Sequence, residues 1–254
     1  MRYGLSLALF AIAAVAAPTP QATEGGAESL LASLSSLNLS HDDVILFGVN
    51  GQYKIVKDAE FHNLTSTGAL TYGGNDKVDA RDISEPLAAL ETRDCPGLNS
   101  EFTVTSTANF LDWDIQMSAV WGAQQAPVTI AVAHGHSVAN QVSFGGDIGF
   151  PIKAISLGLN IDYTKTWTTT DTTTITYTVP QGYYGTVISQ PWTHRVYGNV
   201  YTSCTTDNWQ KTTFMASSHT SQNYGGMEWV TGVLRLCASK DYPVPYCEGS
   251  GYHY

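Results

Sequence analysis

The chain has 254 residues, with 12 Lys and Arg against 22 Asp and Glu and a formal net charge of −10 at pH 7. This acidic balance excludes the basic surface that nucleic-acid phosphates require, so we expect no nucleic-acid partner. Only 13% of the residues are charged, and the 14 Tyr and 6 Trp favour strands over helices.

The first 17 residues have the features of a secretory signal peptide. Arg2 supplies the positive charge, an apolar run follows, and small residues precede Pro18. The apolar run is shorter than the roughly 18 residues that span a membrane. We therefore expect a secreted, extracellular protein, and the N-glycosylation sequons at Asn38 and Asn63 fit an exported chain.

Residues 18–93 are predicted to form an N-terminal segment. Two apolar runs flank Asn50-Gly51, which is the strongest short-range signal for a β-hairpin, and the predicted module covers 42–64. The remainder, 65–93, is polar and aperiodic and reads as a linker. Arg93 is a possible processing site, so 18–93 is either a removable propeptide or a docked accessory.

Residues 94–254 are predicted to form a single β-rich domain, an elongated antiparallel sandwich or twisted sheet. Its main feature is the stretch 155–179, where apolar and Ser/Thr/Gly/Asn positions alternate with period 2. That alternation predicts one long two-faced Thr-rich strand, or a hairpin that folds back within 168–174. No stretch after residue 95 shows a helical period. The other predicted strands are 102–106, 113–121, 128–134, 138–152, 185–189, 193–203, 211–217 and 226–236.

The four cysteines agree with export. An even number of cysteines in an oxidising compartment predicts two disulfides, for which three pairings are possible. The short Pro-containing tail favours Cys237–Cys247, which leaves Cys95–Cys204.

Two short motifs could carry chemistry. Asp112 and Asp114 place two carboxylates on one strand face, as glycoside cleavage needs. The alternative is that Asp-Trp-Asp marks only the start of a strand beside a core tryptophan. His134 and His136 have a spacing that metals use, but no third ligand stands at a defined offset. We therefore predict no catalytic, cofactor-binding or metal-binding residue.

Binding and membrane activity remain as the two physical possibilities. Tyr183, Tyr184, Trp192 and Trp209 lie beside glycine turns or in aromatic stretches and are candidates for partner contact, with core packing as the equal alternative. The alternation in 155–179 is similar in pattern to the Ser/Thr-rich strands of aerolysin-like pore-forming toxins. The threonine-rich outer face of any sandwich strand would look the same.

Several stretches together resemble a family of small secreted effector-like proteins of plant-associated filamentous fungi. The matching pieces, in order over 42–251, are DDVILFG, GQYKIVK, NFLDWDIQMSAVW, YTVPQGYYGTVISQPWTHRVYGNVY, GGMEWVTGVLRLC and DYPVPYCEGSG. The resemblance implies an exported protein with an N-terminal segment and a four-cysteine β-rich domain that acts at the host interface. Members tend to carry a basic pair before the first cysteine, where this chain has only Arg93.

The sequence thus predicts a secreted, non-enzymatic effector or interaction protein that acts outside the producing fungal cell, with a role in virulence. Its partner is an unidentified host or cell-surface molecule. The alternative is an aerolysin-like membrane-active protein that inserts 155–179, and the third possibility is a glycoside-cleaving enzyme that uses Asp112 and Asp114.

Overall fold

A computed structural model describes residues 37–49, 52–73, 99–145, 152–170, 172–203, 209–224 and 227–254. The fold is mostly β, with 58% strand, 8% helix and several antiparallel sheets. The predicted all-β class is therefore confirmed.

The described residues contain 18 strands and two helices. The strands are β1 (Leu37–Leu39), β2 (Asp43–Phe47), β3 (Tyr53–Lys57), β4 (Asn99–Leu111), β5 (Ile115–Gln116), β6 (Trp121–Gly122), β7 (Val128–Val132), β8 (Ser137–Ala139), β9 (Gln141–Phe144), β10 (Thr166–Thr168), β11 (Thr172–Val179), β12 (Tyr184–Ser203), β13 (Gln210–His219), β14 (Ser221–Tyr224), β15 (Met227–Val230), β16 (Gly232–Ser239), β17 (Val244–Pro245) and β18 (Tyr252–His253). The helices are α1 (Asp58–Ser66) and α2 (Ile152–Leu159). Neither helix is both long and apolar enough to cross a membrane.

Strand β12 is the central strand of the fold, because it pairs with β4, β5, β6, β13 and β16. Its first half pairs with β16 along one edge and with β5 and β6 along the other, while its second half pairs with β13 and β4. Pro191 lies where the partners change, at the end of the β16 register and just before the β4 register begins at Trp192. A proline lacks the N–H that a ladder needs, which is why the sequence predicted two strands here instead of one of 20 residues.

The N-terminal hairpin is confirmed and lies in the main sheet. Strands β2 and β3 pair antiparallel, and β2 also pairs with β16 over Val44 to Phe47. Strand β1 pairs with β11, and Leu39 is buried. Residues 58–66 form α1, which covers the sheet with the fully buried Phe61 and which the sequence did not predict.

The predicted continuous strand or hairpin over 155–179 is wrong. Its first part is α2, and its later parts are β10 and β11, which pair with different strands and not with each other. Ile155 and Leu159 are four residues apart, so they share a helix face as well as a strand parity. The predicted strand 113–121 is also wrong in extent, because only β5 and β6 form within it.

The apolar face of β11 belongs to the main core. Ile175, Tyr177 and Val179 are buried there against strands β7 and β16 and against Trp229. The disulfide Cys237–Cys247 is confirmed, with the Cα atoms 5.7 Å apart. Cys95, Cys204, the signal peptide and Arg93 lie outside the described residues.

Candidate functional site

The amphipathic segment, defined here as residues 152–165, lies over the sheet face formed by β4, β12 and β13. Ile155 is completely buried against Val196, Val200 and Phe214, and Leu159 packs at the edge of the same cluster. Burial of apolar side chains, which stabilises by about 1.5–3 kcal/mol per large residue, therefore holds the helix on the sheet.

The helix approaches the sheet closely at Gly158. An alanine Cβ at this position would lie 2.4 Å from Cζ of Phe102. Only glycine allows this approach without a shift of the ring, but glycine inside a helix costs roughly 0.5–1 kcal/mol relative to alanine. The helix ends at Leu159, and the next residue, Asn160, has a left-handed φ of 54°.

In the docked conformation, some side chains of the segment are poorly packed or lack a hydrogen bond. Leu157 is 75% exposed, although it would share a face with Ile155 and Leu159 if the segment were a strand. The hydroxyl of Tyr163 is buried without a hydrogen-bond partner among the described residues, and burial raises its pKa to about 12. An open cleft of about 800 Å³ runs along 156–164. The segment is docked but incompletely packed.

A small number of polar contacts fix the base of the segment. Asn140 donates from its side-chain Nδ2 to the carbonyl of Asp162 at 2.7 Å and from its backbone N–H to the carbonyl of Lys165 at 3.0 Å. Lys165 Nζ lies 3.3 Å from Glu228 in a partly exposed ion pair. The backbone N–H of His219 donates to Asn140 Oδ1 at 2.8 Å.

The His219 ring also belongs to this base. It meets the Trp167 ring edge-on at 6.1 Å, and its Nδ1 lies 3.3 Å from the hydroxyl of Thr193. Burial lowers its pKa, with smaller opposing influences from the backbone of Trp192 and the carboxylate of Asp112 and a reinforcing one from Arg195. The imidazole is therefore held neutral next to the segment.

The two carboxylates of the predicted glycosidase motif have structural partners. Asp112 accepts from Arg195 Nη2 at 2.8 Å and from the backbone N–H of Trp113. Asp114 is fully buried and accepts from Gln190 Nε2 at 2.7 Å and from the backbone N–H of Cys247 at 2.6 Å.

Asp114 also lies near two potential metal ligands. His253 Nε2 is 3.3 Å from its carboxylate, and the ligand atoms of Asp114, His253 and Cys237 lie within 4.8 Å of one another. The Cys237 sulfur is bonded to Cys247, so it offers no thiolate to a metal. The cluster ties the C-terminal tail to β12 instead of forming a metal centre.

His134 and His136 do not share a strand face. They flank Gly135, whose φ of 96° marks a turn between β7 and β8. The backbone N–H of His136 donates to Thr169 Oγ1, and burial lowers the pKa of its imidazole. The predicted strand reached His134 only because period-2 analysis did not detect the turn.

The four aromatic candidates fall in three places. Tyr183 and Tyr184 are half-buried at the start of β12, Trp192 packs at the edge of the cluster around Phe61, and Trp209 is exposed before β13. Two exposed aromatic residues near the start of β12 were not predicted as contacts: Trp121, which pairs with Gly185, and Tyr242, whose ring lies 5.4 Å from that of Tyr184. Only the pairing of β6 with β12 and the packing of the C-terminal tail bring them there.

The two sequons lie on the surface. Asn38 is exposed on β1, where its Oδ1 lies 3.4 Å from Thr178 Oγ1, and Asn63 is exposed on α1. Both asparagines are therefore in positions that a glycan could occupy.

A scan against protein-family models, a search of curated proteins and a search of solved structures each returned no match to this chain. Function is therefore argued from the geometry alone.

Proposed function

We propose that this protein is a secreted, non-enzymatic effector that acts on the lipid bilayer of a host cell, and that the amphipathic segment leaves the sheet and inserts as a two-faced strand. One observation carries the proposal. Ile155 and Leu157 would lie on the same face of a strand, but in the helix Ile155 is completely buried while Leu157 is 75% exposed.

The geometry of the two conformations explains why the split matters. Successive helical residues turn by about 100°, so Leu157 points roughly away from Ile155, whereas a strand places every second side chain on one face. In a strand, Ile155, Leu157, Leu159 and Ile161 would all face lipid, and Ser156, Gly158, Asn160 and Asp162 would face the other side. Only the extended form places all four of these apolar residues on one face.

The length and the boundary of the pattern suit insertion. A transmembrane strand needs about 9–11 residues, which the run 155–163 and its flanking positions supply. Lys165 is the first charged residue on the face that would contact lipid, and a lysine at that point can extend its charge to the membrane surface. Strand β11 is left out of the inserting element because its apolar face is part of the main core.

On the polar side, the two hydrogen bonds from Asn140 and the Lys165–Glu228 pair oppose release of the segment. The Lys165–Glu228 pair is partly exposed, and surface ion pairs contribute at most about 1 kcal/mol. Local opening of such a segment costs less than global unfolding. Membrane contact can therefore compete with the docked state without unfolding the sheets.

The other two hypotheses have less support. The carboxylate oxygens of Asp112 and Asp114 are committed to structural hydrogen bonds and are poorly placed to activate water. The exposed Trp121 and Tyr242 favour a second candidate, a protein that binds a host partner without entering the membrane.

The test compares two exposed apolar residues, Leu157 within the amphipathic segment and Val104 outside it. Leu157→Ser removes an apolar group from the amphipathic segment, and Val104→Ser does the same on β4, where Val104 is 46% exposed. With dye-loaded liposomes, we expect wild type and Val104→Ser to release dye equally and Leu157→Ser to release it at least about tenfold more slowly. Thermal unfolding of both variants should match wild type, because neither residue is buried.

Two results would contradict the proposal. Intact liposomes with the wild-type protein, tested on neutral and anionic lipids, would leave only the partner-binding candidate. Equal dye release by Leu157→Ser and wild type would show that membrane damage does not involve the segment.

A further inference from the structure

A second cleft, here called the apolar cleft, has a volume of about 480 Å³ and lies where β12 changes partners along one edge. The register of β12 with β16 ends at the pair Pro191–Gly232. The register with β13 begins at the pair Thr193–His219. Between His219 and Gly232 the chain leaves this edge to form β14 and β15, which pair with each other. The cleft lies at this interruption, and its volume is in the range of pockets that hold small ligands.

The side chains around the apolar cleft carry no charge. None of its described lining residues is an acid or a base, although the chain as a whole has a net charge of −10. Leu111 and Val233 are buried at its floor, and Leu46, Leu70 and Trp192 pack beside them while staying partly exposed. Partly exposed apolar surface of this kind gains free energy when an apolar molecule removes it from water.

The uncharged lining also decides which ligands the cleft disfavours. A carboxylate or an ammonium group placed there would lose part of its hydration and meet no opposite charge. Such desolvation of an unpaired ion is costly. The lining therefore favours a neutral ligand over an ionised one of the same size.

Thr231 supplies one polar group to the cleft. Its backbone is already bonded, because its N–H donates to the carbonyl of Thr220 and its carbonyl accepts from the N–H of Trp192, both at 2.9 Å. Its hydroxyl has no hydrogen-bond partner among the described residues, and it is not sealed from solvent although the residue is only 5% exposed. Since Thr231 lines the cleft, this hydroxyl can bond to one polar group of a ligand.

We infer that the apolar cleft binds an uncharged, mainly apolar small molecule that carries one hydroxyl or carbonyl group, of the size of a sesquiterpene alcohol. The volume of the cleft sets the size of the ligand, and the absence of lining charge makes it neutral. Leu46, Leu70 and Trp192 contact its apolar body, and Thr231 bonds to its polar group.

This inference does not rest on the proposed membrane activity. The apolar cleft and the amphipathic segment share no residue, and the segment packs instead on Val196 and Val200 in the second half of β12. Each site can therefore be changed without altering the other.

The experiment measures displacement of the neutral dye N-phenyl-1-naphthylamine from the full secreted protein at neutral pH, without lipid. The competitors are farnesol, a neutral sesquiterpene alcohol, and farnesoate, which has the same carbon chain but ends in a carboxylate. We expect farnesol to displace the dye with a Kd below about 100 μM. Farnesoate should bind at least about tenfold more weakly, because its charge finds no partner in the cleft.

Two matched valines localise the binding. Val49 lines the apolar cleft and is 54% exposed, and Val104 lies outside it on β4 and is 46% exposed. Val49→Asp should weaken farnesol binding at least about tenfold, because it places a carboxylate beside the ligand, and Val104→Asp should leave the affinity unchanged. Thermal unfolding of both variants should match wild type, because neither side chain is buried.

A third variant tests the polar contact. Thr231→Val keeps the shape of the side chain and removes its hydroxyl, which bonds to no described residue in the free protein. Farnesol should then bind about twofold to tenfold more weakly, as expected for the loss of one neutral hydrogen bond.

The inference is overturned if neither the dye nor farnesol binds, if farnesoate binds as tightly as farnesol, or if Val49→Asp or Thr231→Val leaves the farnesol affinity unchanged. Failure of the membrane proposal is seen separately. Leu157→Ser should keep full affinity for farnesol, and Val49→Asp should keep the full release of dye from loaded liposomes.

Discussion

Truncation of Ile155 should destabilise the amphipathic segment strongly and truncation of Leu157 hardly at all, although the sequence pattern treats the two residues alike. Ile155 is completely buried between the helix of the amphipathic segment and the sheet, and Leu157 is 75% exposed. Ile155→Ala removes three buried carbons, which costs about 2–5 kcal/mol in protein cores. Leu157→Ala removes the same number of carbons from the surface and should cost about 0.5 kcal/mol or less.

The free energy lost in Ile155→Ala can be measured as a change in the hydrogen-exchange rate of the segment. At about 1.4 kcal/mol per tenfold, a loss of about 3 kcal/mol at Ile155 increases the open population of the segment by roughly a hundredfold. Hydrogen exchange read by mass spectrometry on peptides within 152–165 should accelerate by that factor in Ile155→Ala. In Leu157→Ala it should change by no more than about twofold.

The reference for both variants is a peptide from the main sheet. Peptides covering the pairing of β12 with β16 should exchange at the wild-type rate in each variant, because opening of the segment is local. Equal acceleration by the two truncations would refute the reasoning, since it would mean that Leu157 is as well packed as Ile155.

Three further predictions concern the tail, the N-terminal segment and the base of the amphipathic segment. Reduction of Cys237–Cys247, or Cys247→Ser, should lower the free energy of urea unfolding by about 2–3 kcal/mol, since the bond closes a loop with a sequence separation of 10; an unchanged midpoint would contradict this. Cleavage after Arg93 should leave the N-terminal fragment bound in native size-exclusion chromatography, because β1 and β2 pair with β11 and β16, and a fragment that elutes separately without denaturant would be the contrary result. Burial lowers the pKa of His219, while in an opened state it returns to about 6.5; protonation therefore favours opening, and the stability of the segment's base falls as the pH drops below about 6.5. Exchange at 138–141, corrected for the intrinsic rate, should rise from pH 7.5 to 5.5 in wild type and not in His219→Gln, and a flat wild-type profile would count against it.

The parts of the fold that the sequence predicted well are those where local signals agree with the final pairing. Asn50-Gly51 between two apolar runs specified β2 and β3, and residues 128–132 specified β7. The short spacing of Cys237 and Cys247 gave the correct disulfide. The hairpin and the disulfide each depend on a contact within about a dozen residues, whereas β7 follows its own alternation and pairs with the distant β11.

The parts that the sequence did not predict depend on distant partners. Residues 155–159 form a helix because Ile155 and Leu159 fit against Phe102 and Val200, which lie far away in the chain. Pro191 sits inside β12 because the strand exchanges partners there. Helix α1 went unpredicted because its sequence has little amphipathic character, and Phe61 is its one fully buried side chain.

The amphipathic segment was visible in the sequence as a pattern, although its resting conformation was not.

The measurement that tests the central claim most directly is a nitroxide scan of residues 154–163 with the protein bound to liposomes. Each single-cysteine spin label reports its contact with lipid-soluble oxygen. We predict accessibility that alternates with period 2, high at 155, 157, 159 and 161 and low between them, whereas over 154–159 the protein in buffer shows the 3.6-residue period of α2. A helical period that persists on liposomes, or labels that never contact lipid, would contradict the account.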